Sequence, residues 1–464
     1  MRMLVTVIFA SICLSAYLAG STSNETFSEE AMIAAVSKAL PLIERSSVVS
    51  LKERSCFTCH NGAASVSALE TARLRGFSID EDNMVNQLQR AYSEIRSVDR
   101  RIEPGAFAPG QADGGGWKLL TLAAAEWPKD EVTEAGVRFL IEYNRDRDHW
   151  FWSQVKRPPT LGSSFTTTWV ALRAIREFIT PETALSVELR TAEALGWLLR
   201  TQSVDTEDSV SRLRGLYVAN ASAKDIEMEA NKLLSKQHLD GGWAQLPRGE
   251  SDAYATSIAL IGFYESGSID HRSPESLRAL QYLLDTQLTD GSWQVDKRAR
   301  ALQPHYDSTF PHGQDQFISQ IATSWAVVAM LQMIPPMVND SFIASQGDRI
   351  SDIEVDKTAQ TFTESEVAFF REKIEPVLIE SCFKCHSEES EKLKADLYLD
   401  SREGMLIGGE NGPVIMPEDP DGSLILDALY GIGIDEMPPK KGPLPDETIA
   451  LFEQWIKMGA PHTR

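Results

Sequence analysis

Residues 232–243, KLLSKQHLDGGW, and residues 282–293, YLLDTQLTDGSW, are two copies of one motif that align without a gap. Partial copies begin at Phe139 and Trp197, so the four starts are 58, 35 and 50 residues apart. Such spacings fit one helical hairpin with a loop of variable length. The sequence between about 117 and 334 has helical periodicity and lacks the alternation of strands. We therefore predict a repeated array of helical hairpins.

The motif contains the residues needed to join one hairpin to the next. Each copy ends a helix at a glutamine or asparagine, turns through Asp-Gly where these residues are present, and then supplies a tryptophan. The glutamine can hydrogen-bond the carbonyls freed at the helix end and the indole N–H, while the ring covers the junction. This pattern resembles the glutamine–tryptophan turn of the squalene cyclase and prenyltransferase families. The resemblance covers about half of the chain and implies an α/α toroid around a central cavity, which we assign to residues 111–335.

Four of the five cysteines occur in two copies of one pattern, Cys56-Phe57-Thr58-Cys59-His60 and Cys382-Phe383-Lys384-Cys385-His386. A Cys-x-x-Cys-His string attaches a c-type haem, because both thiols bond the haem vinyl groups and the histidine ligates the iron. Two exported disulfides or one four-cysteine zinc site are the alternatives, but neither requires a histidine after each pair. We predict two covalently bound c-type haems with His60 and His386 as proximal ligands.

The catalytic residues of the toroid families have no counterpart here. The string nearest to the Asp-x-Asp-Asp acid of class II cyclases is residues 80–83, which precedes the toroid and lacks the pattern. The zinc ligands of protein prenyltransferases cannot be assembled, since both cysteine pairs belong to haem motifs. Terpene cyclase and prenyltransferase activities are therefore disfavoured.

The last hundred residues contain a second set of motifs around the haem string. These are Phe369-Phe370, Ile374 with Pro376-Val377-Leu378, Leu399-Asp400-Ser401-Arg402, Gly408-Gly409, Met437-Pro438-Pro439 and Leu451 to Trp455. They resemble the small cytochrome c domain of planctomycete and related bacterial proteins. The resemblance implies that Met437 is the distal iron ligand, a soft thioether that raises the haem potential and suits electron transfer. Met416, before Pro417, is the alternative ligand.

The distal ligand of the first haem is less determined by the sequence. No Met-Pro pair follows within its segment, and the amphipathic context of Met84 favours a core position. His305 and His312 lie in a polar, aromatic loop at 303–316, and loops of this kind carry function more often than buried elements do. Each is a candidate ligand or catalytic residue; the alternative is that both are surface loop residues.

Three strings, at 163–167, 251–256 and 322–325, place small hydroxyl residues at the start of an apolar helix. The simpler interpretation is helix capping by Ser164, Ser251 or Asp252. In a toroid, however, the starts of successive helices converge at one rim, where hydroxyls and helix N-termini can orient a ligand. Asp252 and Tyr254 are therefore candidate catalytic residues.

Composition restricts the partners and the compartment. The 464 residues carry 45 Lys and Arg against 67 Asp and Glu, a net charge of −22, so nucleic acid is not an expected partner. Residues 1–20 have an N-terminal Arg2, an apolar run and small residues, which predicts a cleaved signal peptide. An uncleaved anchor helix is the alternative; after cleavage we expect no stable membrane span.

The predicted chain is mainly α, an α/α toroid flanked by two small all-helical c-type haem segments. The boundaries are 1–20 for the signal peptide, 21–110 for the first haem segment, 111–335 for the toroid, 336–362 for a linker and 363–464 for the cytochrome c domain. We predict an exported electron-transfer protein, periplasmic or at the cell surface, with a redox protein partner and a small or apolar ligand at the toroid. The alternatives are a haem peroxidase or oxygenase with an open first iron, and a toroid binding module with a haem relay.

Overall fold

The computed structural model describes residues 28–54, 57, 59–99, 111–151, 158–299, 306–336 and 362–462, the last range with gaps at 388, 391, 396, 409–413, 418, 421, 433–436, 440–441 and 443. The predicted signal peptide, Cys56, His305 and residues 337–361 of the predicted linker lie outside these ranges. Of Cys59 and His60 the backbone alone is described.

Helices of the first 331 residues alternate between an outer and an inner layer. The outer helices are α1 (Glu29–Glu53), α3 (Glu81–Asp99), α5 (Glu131–Glu142), α7 (Ala184–Arg200), α9 (Ala223–Leu234) and α11 (Pro274–Thr286). The inner helices are α2 (Ala64–Arg73), α4 (Gln111–Ala124), α6 (Ser164–Glu177), α8 (Thr206–Val218), α10 (Ala253–Ser266) and α12 (Gln316–Leu331). A π-helical turn, Cys59–Ala63, leads into α2, and a 3-10 turn, Gly313–Asp315, leads into α12.

The inner helices form a closed ring. Each packs on the next in chain order from α2 to α12, and α12 packs back on α2. The burial pattern agrees: α10 is buried along nearly its whole length, whereas the outer helix α11 buries one stripe that includes Ala279, Leu280 and Leu283. The predicted α/α toroid is confirmed.

The ring begins earlier in the chain than the sequence-based division at residue 110. Helices α1 to α3 belong to its wall, and α2 is the inner helix between α12 and α4. The glycine triplet 114–116, just after that division, lies inside α4. A Cβ on Gly116 would lie 2.6 Å from the Val170 side chain, so this glycine permits close helix packing and does not end a domain.

The glutamine–tryptophan turns connect the outer and inner layers. The indole N–H groups of Trp150, Trp243 and Trp293 donate to the carbonyls of Leu140, Leu233 and Leu283, each ten residues earlier, at 2.7, 2.9 and 2.8 Å. The Gln287 amide donates to the Gly291 carbonyl (3.0 Å) and to the Ala35 carbonyl of α1 (2.8 Å). The last turn of the repeat is thereby bonded to the first outer helix, which closes the outer layer.

Two-residue strands, β1 (Trp243–Ala244) and β2 (Ser251–Asp252), form an antiparallel pair before α10. The C-terminal unit consists of α13 (Glu364–Phe369), α14 (Glu375–Ser381), α15 (Arg402–Ile407), α16 (Leu424–Tyr430) and α17 (Asp446–Lys457), with a π-helical turn, Phe370–Ile374, between the first two. Phe370, Phe452 and Trp455 lie at the centre of its apolar core. Across the described ranges, no helix is both long enough and apolar enough to cross a membrane.

Candidate functional site

The second haem motif forms one tight turn directly after α14. The Cys382 N–H donates to the Leu378 carbonyl at 2.8 Å, and the N–H groups of Cys385 and His386 both donate to the Cys382 carbonyl at 3.0 Å. The two cysteine side chains are half-buried. The backbone therefore presents both cysteines and the histidine from a single turn, as attachment to one planar group requires.

The imidazole of His386 has the properties of an iron ligand. Among the described residues its Nδ1 is buried with no hydrogen-bond partner, and burial lowers the pKa of the ring below its usual value. The neutral ring is therefore favoured, and neutral imidazole is the form that ligates metals. These residues fit a covalently attached haem.

Met437 and Met416 both lie in loops that α16 organises. The Met437 N–H donates to the Ala428 carbonyl of α16 at 2.8 Å, and the Met416 N–H donates to the Ser423 hydroxyl, at the start of α16, at 2.8 Å. Both side chains are half-buried, whereas Met405 is fully buried in the core. Both loop methionines, which the sequence identified as candidate distal ligands, are therefore partly accessible.

The first haem motif lies in the ring wall. The turn Cys59–Ala63 packs against α1, α4 and α12. The Asn61 amide donates to Gln320 of α12 and to the Ser46 hydroxyl (3.2 Å), and the Gln320 amide donates to the Ser65 hydroxyl at 3.0 Å. Buried polar contacts to two other helices thus fix this turn at the start of an inner helix.

A buried ion pair supports the segment just before this turn. The Phe57 N–H donates to the Glu94 carboxylate, which also pairs with the Lys118 ammonium at 2.9 Å. The Lys118 side chain is 2% exposed, so this cation is held inside the wall. Phe57, inside the motif, is therefore bonded to α3 and linked through this ion pair to α4.

The loop that precedes α12 lies against the end of α1, close in sequence to the first haem motif. The Tyr306 hydroxyl donates to the Ser50 hydroxyl at 3.0 Å, and the Arg54 guanidinium lies 4.3 Å from the Tyr306 ring centroid. His305, the neighbour of Tyr306, lies outside the described residues. The His312 Nε2 lies 2.8 Å from the Ser292 hydroxyl, and burial lowers the pKa of this histidine. His312 therefore contacts the glutamine–tryptophan turn that follows α11.

The starts of the inner helices meet at one rim, where their polar side chains bridge neighbouring helices. The Thr167 hydroxyl of α6 donates to Asp113 of α4 at 2.6 Å. Glu207 at the start of α8 accepts hydrogen bonds from the Thr166 hydroxyl of α6 and the Tyr254 hydroxyl of α10, both at 2.8 Å. The predicted convergence of helix starts is thus present in the structure.

Glu207 is the candidate residue that the sequence analysis missed. Burial raises the pKa of its carboxyl from 4.5 to about 7, and the two hydroxyl donors offset part of this rise. Glu207 can therefore take up and release a proton near neutral pH, inside the ring. In the sequence Glu207 follows Asp205, which caps α8. The pattern therefore indicates only an ordinary acidic residue in the first turn of a helix.

Asp252 lies at the same rim, where its contacts stabilise the start of α10. Its carboxylate accepts from the Ala255 N–H at 2.9 Å, which caps α10, and from the Gln245 amide at 3.1 Å. Burial raises the pKa of this carboxyl. The α6 cap is Ser163, one residue before the predicted Ser164. The Tyr254 hydroxyl is therefore hydrogen-bonded to Glu207, whereas Asp252 caps the start of α10.

Residues 382–441 match the family described as Planctomycete cytochrome C. The match contains Cys382, Cys385, His386 and Met437. This segment is a cytochrome c domain. The domain implies a covalently bound c-type haem and haem-based electron transfer.

Solved structures resemble the chain at low sequence identity. The type II terpene cyclase MstE from Scytonema has a TM-score of 0.44 and 14% identity, over 66% of this chain and 99% of that chain. A glycosidase variant in complex with glucose has a TM-score of 0.40 and 13% identity, over 65% of this chain and 98% of that chain. These values carry no information about activity. No curated protein matches the chain.

Proposed function

We propose that the chain is an exported dihaem c-type cytochrome that transfers electrons between a redox protein partner and a small or apolar ligand in the toroid. The observation that carries the proposal is the repetition of one haem-attachment pattern, once in the cytochrome c domain and once in the ring wall. Haem bound at these strings supplies one-electron chemistry. The acidic chain favours a basic region on the protein partner.

In the cytochrome c domain, Cys382 and Cys385 hold the haem, His386 is the proximal ligand and Met437 is the distal ligand. The buried, unpartnered Nδ1 of His386 and the position of Met437 within the family match support this assignment. Thioether ligation keeps the iron six-coordinate, which favours electron transfer over reaction with oxygen.

In the ring wall, Cys56 and Cys59 hold the other haem and His60 is its proximal ligand. We assign the distal position to the loop before α12, with His305 as the first candidate and His312 as the second. The contacts of Tyr306 with Ser50 and Arg54 support His305, because they lie next to it and shortly before Cys56. Met84 is fully buried in the apolar core of the ring, which supports a packing role for it.

A spectroelectrochemical titration of the full-length protein tests this function. We expect two low-spin haems with separate potentials, and one of them should disappear in the Cys382→Ala, Cys385→Ala double variant. The matched control is Cys56→Ala, Cys59→Ala, which should remove the other. A single haem in the unaltered protein would contradict the proposal. A high-spin signal that responds to carbon monoxide or cyanide would instead favour the peroxidase or oxygenase alternative.

Cell fractionation tests the export. We expect the protein in the periplasmic or surface fraction, with an N-terminus near residue 20, since haem attachment and the sequence of residues 1–20 both point to export. Cytoplasmic protein with an intact N-terminus would contradict it.

A further inference from the structure

Three tryptophans of inner helices form one cluster inside the ring: Trp117 of α4, Trp169 of α6 and Trp325 of α12. The ring centroids of Trp117 and Trp169 are 5.7 Å apart, and those of Trp117 and Trp325 are 6.3 Å apart. Helix α2 stands between α4 and α12, and α1 and α3 pack on α2 from the outer layer. Because α2 separates α4 from α12, the rings of Trp117 and Trp325 meet on the side of α2 that faces the interior of the ring.

Two of these indoles have polar groups without partners. The Nε1 atoms of Trp117 and Trp169 are buried and make no hydrogen bond within the described structure. The tryptophans of the outer-to-inner turns differ, because Trp150, Trp243 and Trp293 each donate to a helix-end carbonyl. A buried donor without a partner has lost its hydrogen bonds to water without replacement, so the two interior N–H groups favour any acceptor that enters the cluster.

The charges beside the cluster restrict the ligand. The Arg214 guanidinium lies 3.5 Å from the Trp169 ring centroid, and it makes two hydrogen bonds, of 2.7 and 2.8 Å, to the Glu265 carboxylate. This cation is already neutralised by its own ion pair. The cluster therefore suits a neutral molecule with hydrogen-bond acceptors better than an anion.

Two of the helices that carry the cluster also pack on the turn of the first haem motif. The turn Cys59–Ala63 packs on α4 and α12, the helices that carry Trp117 and Trp325. A ligand held by these indoles would share two wall helices with the turn to which we assign a haem. This shared contact favours a redox-active ligand over an inert one.

We propose that the tryptophan cluster binds a neutral, planar aromatic molecule with carbonyl oxygens, of the quinone class. Its ring stacks among the indoles, and its oxygens accept hydrogen bonds from Trp117 and Trp169. Aromatic pairing and indole N–H donation are the two interactions that such a molecule satisfies together. A saturated hydrocarbon would leave both donors unpaired. The choice of a redox-active ring rests on the proposed electron-transfer function; the binding site itself does not.

Equilibrium dialysis of the full-length holoprotein with 1,4-naphthoquinone tests the site. Trp117→Phe and Trp169→Phe keep an aromatic ring but remove the N–H, and each should weaken binding about five- to tenfold, the loss of one hydrogen bond. Trp197→Phe, on the outer helix α7, is the matched control and should leave the affinity unchanged. Naphthalene has the same fused rings without carbonyls, so its weaker binding should not respond to the N–H deletions.

Absence of saturable naphthoquinone binding, or equal affinity in all three variants, would overturn the inference. Two substitutions are used so that a folding failure of one, seen by circular dichroism, leaves the other as the test. The haem count is measured on the same samples. Two haems without naphthoquinone binding would refute the ligand site alone, whereas binding with a single haem would refute the dihaem function alone.

Discussion

Glu207→Gln should stabilise the ring at neutral and alkaline pH. Burial raises the pKa of Glu207 to about 7, so between pH 4.5 and 7 the folded protein holds a proton that the unfolded chain has released. Stability then falls as pH rises through this window and levels off above it. Glutamine resembles the protonated carboxyl and can offer one donor and one acceptor to the hydroxyls of Thr166 and Tyr254. The stability of the variant should therefore not fall in this pH window.

The size of the effect follows from the shift. A rise from 4.5 to about 7 corresponds to about 3–4 kcal/mol at about 1.4 kcal/mol per pH unit. The stability difference between variant and unaltered protein should therefore be near zero at pH 4.5 and should approach this value at pH 8. Burial also raises the pKa values of Asp205 and Asp252, but both proteins retain these groups, so their contributions largely cancel.

The assay is guanidinium unfolding of the full-length protein at several pH values, followed by circular dichroism. Glu229→Gln is the matched control, because Glu229 is buried in an ion pair with Arg212. Its substitution leaves a buried cation unpaired and should destabilise the ring by about 3–5 kcal/mol at pH 8, the opposite sign. A pH-independent difference, or a destabilised Glu207→Gln protein at pH 8, would refute the reasoning about Glu207.

Further predictions concern both haems and the repeat. Met437→Ala should lower the potential of the C-terminal haem and open it to carbon monoxide, whereas Met416→Ala should do neither; the reverse result would assign the ligand to Met416. Replacement of His305 or His312, one at a time, should alter the spectrum of the first haem in at least one case and leave the C-terminal haem unchanged; two silent variants would favour Met84 or an open iron. Gly291→Ala should lower the melting temperature well below that of Gly267→Ala. Both glycines have a positive φ, but only at 291 would a Cβ meet a neighbour, the Lys38 carbonyl oxygen at 2.5 Å. Equal losses would contradict the close approach of α1 to this turn.

The ring could be predicted from the sequence because its turns repeat. Gln237, Gln287 and their tryptophans act through contacts that lie within a hairpin or with the next one, so their spacing in the sequence reports the structure directly. The inclusion of α1 to α3 could not be predicted in this way. Those helices carry no copy of the motif, and their place is decided by distant contacts such as Gln287 with Ala35 and Asn61 with Gln320.

The haem-attachment residues were visible in the sequence because the chemistry fixes their spacing. Glu207 and the two interior indole donors were not, because their properties come from burial and from side chains on other helices. The carboxyl of Glu207 has its raised pKa because the fold buries it, and the hydrogen bonds from Thr166 and Tyr254, which lie on other helices, offset only part of that rise. Two tryptophans likewise differ by their position in the ring: the Trp150 N–H donates to a carbonyl, whereas the Trp117 N–H has no partner within the described residues. The residue type alone does not show this difference.

The central claim is that one chain carries two covalent haems, one in the ring wall and one in the cytochrome c domain. Mass spectrometry of the intact, denatured full-length protein measures this most directly, because only covalent haem survives denaturation. The account predicts the mass of the processed polypeptide plus two haems, and plus one haem in either double variant, Cys56→Ala with Cys59→Ala or Cys382→Ala with Cys385→Ala. A polypeptide with a single haem, kept in the first double variant and lost in the second, would contradict it.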